Sequence, residues 1–281
     1  MKIVLAGTPE FSVPIFEEII NNLNVVAIIS QPDKPANRGY KVIPTPVKEL
    51  AQKYNIKLFQ PNKISEIKEE LEKLEYDILV TAAFGQWIPD SVLKIAKIAS
   101  VNIHGSILPK YRGAAPIQHS LLNGDKETGI TLIYMVKEMD AGDMLAKAYL
   151  KIEEEDTSKE LFEKLSNLAK ENIVDWLKKL YNNQLSITQQ QHSEATLAPK
   201  IEKSFSQVFL TDDYLEVYKK IKALNENPGA FILTKENKRL KLFRASLNFV
   251  KSSIKLNFKN GDLYIYEYQY EGKKKINVKS Q

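Results

Sequence analysis

The chain has 281 residues, 43% of them hydrophobic, which supports a sizeable core and favours two domains over one. It has no cysteine, which excludes disulfides, thiolate metal sites and thiol catalysis. Its three histidines (His104, His119, His192) are too scattered for a His-based metal site, and no metal is expected. The net charge of +5 is unevenly spread. Residues 200–281 hold 17 Lys/Arg against 9 Asp/Glu, whereas residues 1–199 hold 23 against 26. A basic C-terminal region on a mildly acidic body fits a nucleic-acid partner, and it equally fits an ordinary lysine-rich surface. No apolar run approaches the ~18 residues of a membrane span. The start reads as a strand and turn rather than a leader, so a cytoplasmic protein is expected.

The first half alternates strands and helices. Strands are expected at Lys2–Ala6, Val25–Ser30, Tyr76–Ala82 and Ile98–Ile103. Helices are expected at Phe11–Ile20, Ile64–Leu74 and Asp90–Ile95. Such alternation implies a parallel sheet with helices on both faces, which binds ligands at the carboxyl ends of its strands. Two β-prone runs follow, Thr128–Val136 and Met144–Ile152, around the turn Asp140-Ala-Gly-Asp143. Thr157-Ser-Lys-Glu160 is a capping box opening a helix to about Leu180. Residues 182–199 are polar, without hydrophobic period, and read as a linker. Beyond them come one helix (Tyr214–Leu224) and five short strands at 230–234, 240–245, 253–258, 263–268 and 275–278. That spacing suggests a small barrel of the oligonucleotide-binding type. The expected division is a domain at 1–185, a linker at 186–203 and a second domain at 204–281.

Asn102 and His104 end the fourth strand. Strand alternation puts both side chains on one face, roughly 6–7 Å apart along the chain. An amide donor can stabilise an oxyanion there, and an imidazole can carry a proton near neutral pH. Asp140 offers a carboxylate to orient that imidazole. Together the three suggest acyl-group chemistry without a covalent nucleophile. Asp143 reads as support for its turn, and Tyr111 and Arg112 as loop structure. His119 and His192 read as ordinary surface or loop residues. There is no Gly-x-Gly-x-x-Gly and no Walker pattern, which argues against NAD or ATP.

The segment Asn102-Ile-His-Gly-Ser-Ile-Leu-Pro-Lys-Tyr-Arg-Gly-Ala-Ala-Pro116, followed at family spacing by Asp140-Ala-Gly-Asp143, resembles the folate-dependent formyltransferases. Ile107 stands where a leucine is usual. Ala6-Gly-Thr-Pro-Glu-Phe11, Gln31-Pro-Asp-Lys-Pro-Ala-Asn-Arg-Gly39 and Gly113-Ala-Ala-Pro-Ile-Gln118 look like the branch of that family acting on methionyl-tRNA. Asn37 replaces a usual glycine in the second of these. Val208-Phe-Leu210 and Asn225-Glu-Asn-Pro228 depart from the usual second-domain motifs, and that domain is short.

The resemblance implies a Rossmann-like N-terminal catalytic domain and a smaller, OB-like β-barrel that binds tRNA. It implies Asn102, His104 and Asp140 as the catalytic set. It places the pterin of 10-formyltetrahydrofolate against Gly85, Gln86, Trp87 and Ile88, and against Ser106, Ile107, Leu108 and Pro109. Lys34, Arg38 and Lys41 are the expected tRNA contacts. The implied reaction formylates the α-amino group of initiator methionyl-tRNA for translation initiation, by a monomer. One rival is a formyltransferase for a small sugar or nucleotide amine, which needs neither a basic loop nor a basic second domain. Formate release by hydrolysis of the same folate is another. A third is a noncatalytic RNA-binding protein that keeps the fold.

Overall fold

A computed structural model describes residues 1–35 and 42–279. The chain divides into two compact units, described in turn. The first holds Met1–Ala114, Gly129–Leu150 and Glu163–Leu197, and the second Ala115–Thr128, Lys151–Phe162 and Ala198–Gln281.

The first unit starts with β1 (Lys2–Gly7), α1 (Ser12–Asn22) and β2 (Asn24–Ile29). A short ladder of β3 (Lys34–Pro35) and β4 (Val42–Ile43) precedes α2 (Pro46–Lys53) and β5 (Leu58–Phe59). Next come α3 (Lys68–Glu72), β6 (Ile78–Ala82), α4 (Asp90–Leu93) and β7 (Ala99–His104). The helix expected at Ile64–Leu74 opens as a tight 3-10 turn, Ile64–Ile67, before α3. After α5 (Pro116–Asn123), the strands β8 (Glu127–Tyr134) and β9 (Met144–Lys151) complete one seven-stranded sheet. Its order is β5-β2-β1-β6-β7-β8-β9.

The strands from β5 to β7 pair in parallel, and β8 returns antiparallel to β7. A parallel neighbour needs a crossover helix on the sheet face. The helix between β7 and β8, α5, belongs to the second unit and supplies no crossover for a parallel strand, so β8 joins antiparallel. Every residue of β1 beyond Lys2 is buried, as a sheet covered on both faces requires. On one face Val4, Ala6, Ala27, Ile29 and Leu79 pack with Ile64, Leu71, Tyr76 and Val92. Ile15, Phe16 and Ile19 of α1 are also fully buried. The Phe16 ring comes within 2.6 Å of where a Cβ on Gly7 would sit, so the end of β1 admits only glycine without a shift.

In the second unit, α7 (Tyr214–Ala223) buries Val217 and Ile221 against five strands. These are β10 (Ala230–Leu233), β11 (Arg239–Ser246), β12 (Ile254–Phe258), β13 (Gly261–Tyr270) and β14 (Ile276–Asn277). All five strands inferred from residue spacing are present. The sheet is antiparallel, in the order β10-β11-β13-β12, and β14 takes the stretch of β13 beyond β12. It curls into a half-barrel. A register shift at Arg244 bends β11, as bulges do at barrel corners.

The bulge also aims Arg244 at two carboxylates: Glu160, at the start of α6 (Ser158–Tyr181), and Glu267, 3.2 Å away. The capping box forms as a reach-back: Glu160 Oε2 accepts from the Thr157 N–H at 2.9 Å and from its hydroxyl. Tyr266 donates to Glu155 at 2.6 Å, and Ser158 donates to the Asn225 carbonyl. These bonds fasten segment 151–162 to the C-terminal sheet. Among the described residues no helix is long and apolar enough to cross a membrane.

Burial pulls the Glu160 carboxyl upward, but hydrogen bonds from Thr157 and Arg244 outweigh it and hold the group below its ordinary value. A depressed folded pKa means stability that is present above the unfolded value, near 4.5, and lost as pH falls through the folded one. Unfolding midpoints followed from neutrality into that acid range should therefore fall less steeply for Glu160→Gln than for the parent. Equal acid slopes would remove Glu160 from the acid response.

Candidate active site

The site lies at the carboxyl ends of the parallel strands. β7 runs between β6 and β8, with Asn102 in register with Thr81 and Ile133, and His104 with Thr131. A strand paired on both sides holds its side chains on a rigid base. Thr81, buried on β6, donates its hydroxyl to Asn102 Oδ1 at 2.7 Å. That bond turns the amide nitrogen the other way, toward Asp140 Oδ1 at 3.4 Å. The second carboxylate oxygen lies 3.5 Å from His104 Nδ1 and accepts the Gly113 N–H at 2.9 Å. His104 is buried, and its Nε2 meets the Tyr111 carbonyl at 2.8 Å. Each ring nitrogen thus faces an oxygen acceptor. A neutral ring can donate to only one of them, and a ring carrying both protons donates to both.

The structure brings Asn102, His104 and Asp140 together, and two backbone details deliver them. Tyr111 and Asp140 have φ of +65° and +53°, a left-handed conformation that costs a non-glycine residue of order 1 kcal/mol and persists where surroundings over-determine it. The surroundings are dense. The Tyr111 N–H donates to Thr196 Oγ1 at 2.9 Å, and the Arg112 N–H to the Thr196 carbonyl at 2.8 Å. Buried Arg112 donates from Nε and Nη2 to Gln190 Oε1 at 3.0 and 2.8 Å. Gln190 Nε2 donates to the carbonyls of Asp140 and Gly142 at 2.8 and 2.7 Å. The polar run expected to be a linker is therefore strapped across the site through Thr188, Gln190 and Thr196. Arg112 has the structural role its loop suggested. His192 is exposed on a short turn, as expected of a surface or loop residue, and its Nδ1 faces Arg112 Nη2 at 3.1 Å; His119 meets the Pro199 carbonyl at 3.0 Å.

The residues expected to hold a pterin fall on two stretches. In the first, Phe84 and Ile88 are buried and Trp87 is 64% exposed. Gln86 spends its amide on Ile64 N and the Pro61 carbonyl. Gly85 has φ +75°, and a Cβ there would lie 2.5 Å from Gln31 Nε2. The neighbouring Phe84 carbonyl accepts from Thr8 and Gln31, both at 2.9 Å. The turn after β6 is thereby tied to the ends of β1 and β2, at the point where strand order reverses and open α/β sheets bind ligands. In the second stretch, Ser106 Oγ donates to the Lys110 carbonyl at 2.6 Å, and Leu108 is buried with Ile133 and Met144. Ile107 and Pro109 are half-buried. Lys147 donates to the Leu108 carbonyl at 2.7 Å, and burial draws its ammonium below the ordinary value. Of the cations expected to meet tRNA, Lys34 is exposed and donates to Gln31 Oε1 at 3.2 Å. Arg38 and Lys41 lie outside the described residues.

Residue type alone missed Thr81, Thr131, Gln190 and Thr196. Thr81 could be found only from strand register, and Gln190 and Thr196 lie in a run without periodicity.

Comparison with known proteins gives the family. The formyl transferase family matches residues 1–177, and the formyl transferase C-terminal domain matches residues 200–281. A methionyl-tRNA formyltransferase from Mycoplasmopsis pulmonis is 50% identical over 281 residues, covering 99% of this chain and 96% of that protein. One from Ligilactobacillus salivarius is 41% identical over 296 residues, covering 99% and 93%. Two solved structures share the fold. The N-formyltransferase from Helicobacter canadensis, in complex with folinic acid and dTDP-3-aminofucose, has a TM-score of 0.69 at 19% identity, covering 99% of this chain and 98% of that one. HypX from Aquifex aeolicus, in complex with tetrahydrofolic acid, has a TM-score of 0.69 at 17% identity, covering 99% and 46%. The fold and the two family matches define a group-transfer enzyme. The chain belongs to the formyl transferase family, and it matches methionyl-tRNA formyltransferases along almost their whole length.

Gly142 tests how tightly the Asp140 turn is built. A Cβ there would lie 1.9 Å from the Tyr134 carbonyl oxygen, so Gly142→Ala forces the backbone to move. Chemical denaturation should show a loss of about 1–3 kcal/mol, the usual cost of overpacking. An unchanged midpoint would mean that the turn is looser than described.

Proposed function

We propose that this chain transfers a formyl group from 10-formyltetrahydrofolate to the α-amino group of initiator methionyl-tRNA. The observation that carries the reading is the shared carboxylate: Asp140 faces the Asn102 amide through one oxygen and the His104 ring through the other. The methionyl-tRNA formyltransferases matched end to end supply the acceptor. Solved relatives of the same fold, described with folinic acid and tetrahydrofolic acid, support a folate donor.

The donor supplies a formyl carbon on a nitrogen leaving group, so it arrives activated. The acceptor amine adds to that carbon, and negative charge gathers on the formyl oxygen. Asn102 Nδ2 donates to this oxyanion, because Thr81 keeps the amide oxygen turned away. His104 takes the amine proton or adds to the oxyanion's stabilisation, and collapse of the adduct breaks the bond from the formyl carbon to the folate nitrogen, which leaves with a proton as tetrahydrofolate. Asp140 fixes the ring and balances its charge. The Gly85–Ile88 turn and Ser106–Pro109 would hold the pterin. Gly85 leaves room for the Gln31 amide beside its left-handed backbone, so this turn presents main chain rather than a side chain. Residues 1–185 carry the chemistry in this reading. Residues 204–281 hold the tRNA with Lys34, Arg38 and Lys41, in line with their basic balance and the second family match at 200–281. The sugar N-formyltransferase is 19% identical, against 50% and 41% for the methionyl-tRNA formyltransferases, so the acceptor is read from the latter.

The test is formyl transfer from 10-formyltetrahydrofolate to charged initiator methionyl-tRNA, to a nucleotide-linked amino sugar and to water. Transfer to the tRNA alone is expected, and transfer to the sugar alone would overturn the acceptor. Loss of one oxyanion donor costs about 2.7–4 kcal/mol of barrier, so Asn102→Ala should slow turnover by roughly two to three decades. Near-parental turnover in that variant would remove Asn102 from the mechanism.

A further inference from the structure

We propose that Gln190 is a positioning residue of the active site, which makes the polar strap of residues 188–196 part of the catalytic apparatus rather than a tether. The proposal rests on the role given above to Asp140. Gln190 lies between the two stretches matched by the family, 1–177 and 200–281.

The hydrogen bonds leave one orientation for its amide. The Arg112 guanidinium has donors and no acceptor, so it must face Gln190 Oε1, which it reaches through both Nε and Nη2. The amide nitrogen then points the other way and gives its two protons to the carbonyls of Asp140 and Gly142. All four bonds are 3.0 Å or shorter, and Gln190 is 4% exposed. The amide clamps the backbone on both sides of Ala141 and holds Asp140 at its left-handed φ of +53°. From that backbone the carboxylate reaches Asn102, His104 and Gly113.

The strap is itself anchored, so the clamp has a fixed base. Thr188 exchanges backbone bonds with Met144 at 2.8 and 2.9 Å, just past the turn. Thr196 takes the Tyr111 and Arg112 amides, beside the carbonyl that holds His104 Nε2. Arg112 thus belongs to the loop that fixes one end of the imidazole, while Gln190 fixes the carboxylate at the other end. A residue serving only as packing would leave the reacting geometry alone when replaced by an isostere. A clamp would not.

The decisive variant is Gln190→Glu in the full chain. It keeps the shape and the acceptor toward Arg112, but sets an oxygen against two carbonyls where a donor stood. For transfer to methionyl-tRNA, kcat should fall roughly tenfold to a hundredfold, the scale of a small misplacement of catalytic groups. KM for donor and acceptor should stay within about twofold, because no binding contact is removed. The second readout does not depend on the acceptor. The chain has three histidines, so the ring nitrogen resonances of ¹⁵N-histidine protein are few enough to resolve. Those of His104 should move in Q190E as they do in Asp140→Asn, while those of His119 stay in place. If Q190E does not fold, Gln190→Met keeps the length without a buried charge, loses both donors, and should give the same two results. Unchanged kcat, or unchanged His104 resonances in a folded variant, overturns the proposal. A parent chain that fails to formylate methionyl-tRNA would defeat the functional reading, and the His104 signature would still decide whether Gln190 positions Asp140.

Discussion

One carboxylate organises the site. Asp140 gives one oxygen to the Asn102 amide and the other to the His104 ring and the Gly113 N–H. The partners come from β7 and from the loop after it, whereas the carboxylate comes from the turn between β8 and β9. A poorly hydrated carboxylate is costly without partners and well held with them, so these three pieces of chain are stable only in mutual register. The left-handed backbone at Asp140 and at Tyr111 shows the same pressure: local conformation yields to the arrangement of the site.

The sheet explains why the constellation is rigid. β7 is the last strand of the parallel set and is paired on both sides, so Asn102 and His104 stand on a fixed spacing. Hydroxyls from the adjacent strands finish the job. Thr81 on β6 turns the Asn102 amide, and Thr131 on β8 donates to the Ser106 carbonyl while accepting the Leu108 N–H. Such bonds are worth only about 1 kcal/mol each in net stability, but they select one orientation of each side chain among several. In the second unit the same economy operates with charge. The β11 bulge turns Arg244 toward Glu160 and Glu267, and a segment from the middle of the chain joins a sheet built from its end.

Most elements were legible in the residues. Valine, isoleucine and leucine runs marked β1, β2, β6 and β7, and the Thr157–Glu160 box marked the start of α6. The five short strands beyond residue 230 followed from their spacing. The antiparallel course of β8 was not legible, because no local signal tells a strand which edge it will join or whether the preceding helix will lie on the sheet. The 3-10 opening at Ile64–Ile67 was hidden for a similar reason, since its apolar spacing fits a continuous helix. Segment 182–199 was read as a linker because it is polar and aperiodic, and these are the properties that a strap held by hydrogen bonds shares with a free tether.

The sequence by itself determined the chemical types at the site and their close spacing: an amide and an imidazole two residues apart at a strand end, and a carboxylate in a glycine-containing turn. Those depend on covalent order and on the two-residue period of a strand. Only the tertiary structure decided which neighbours orient them. Thr81 lies 21 residues from Asn102 in sequence, Gln190 lies 50 from Asp140, and Thr196 lies 85 from Tyr111. Contacts at such separations are set by strand order and by the path of the strap, and a hydrogen bond leaves no periodic trace in composition by which to find its partner.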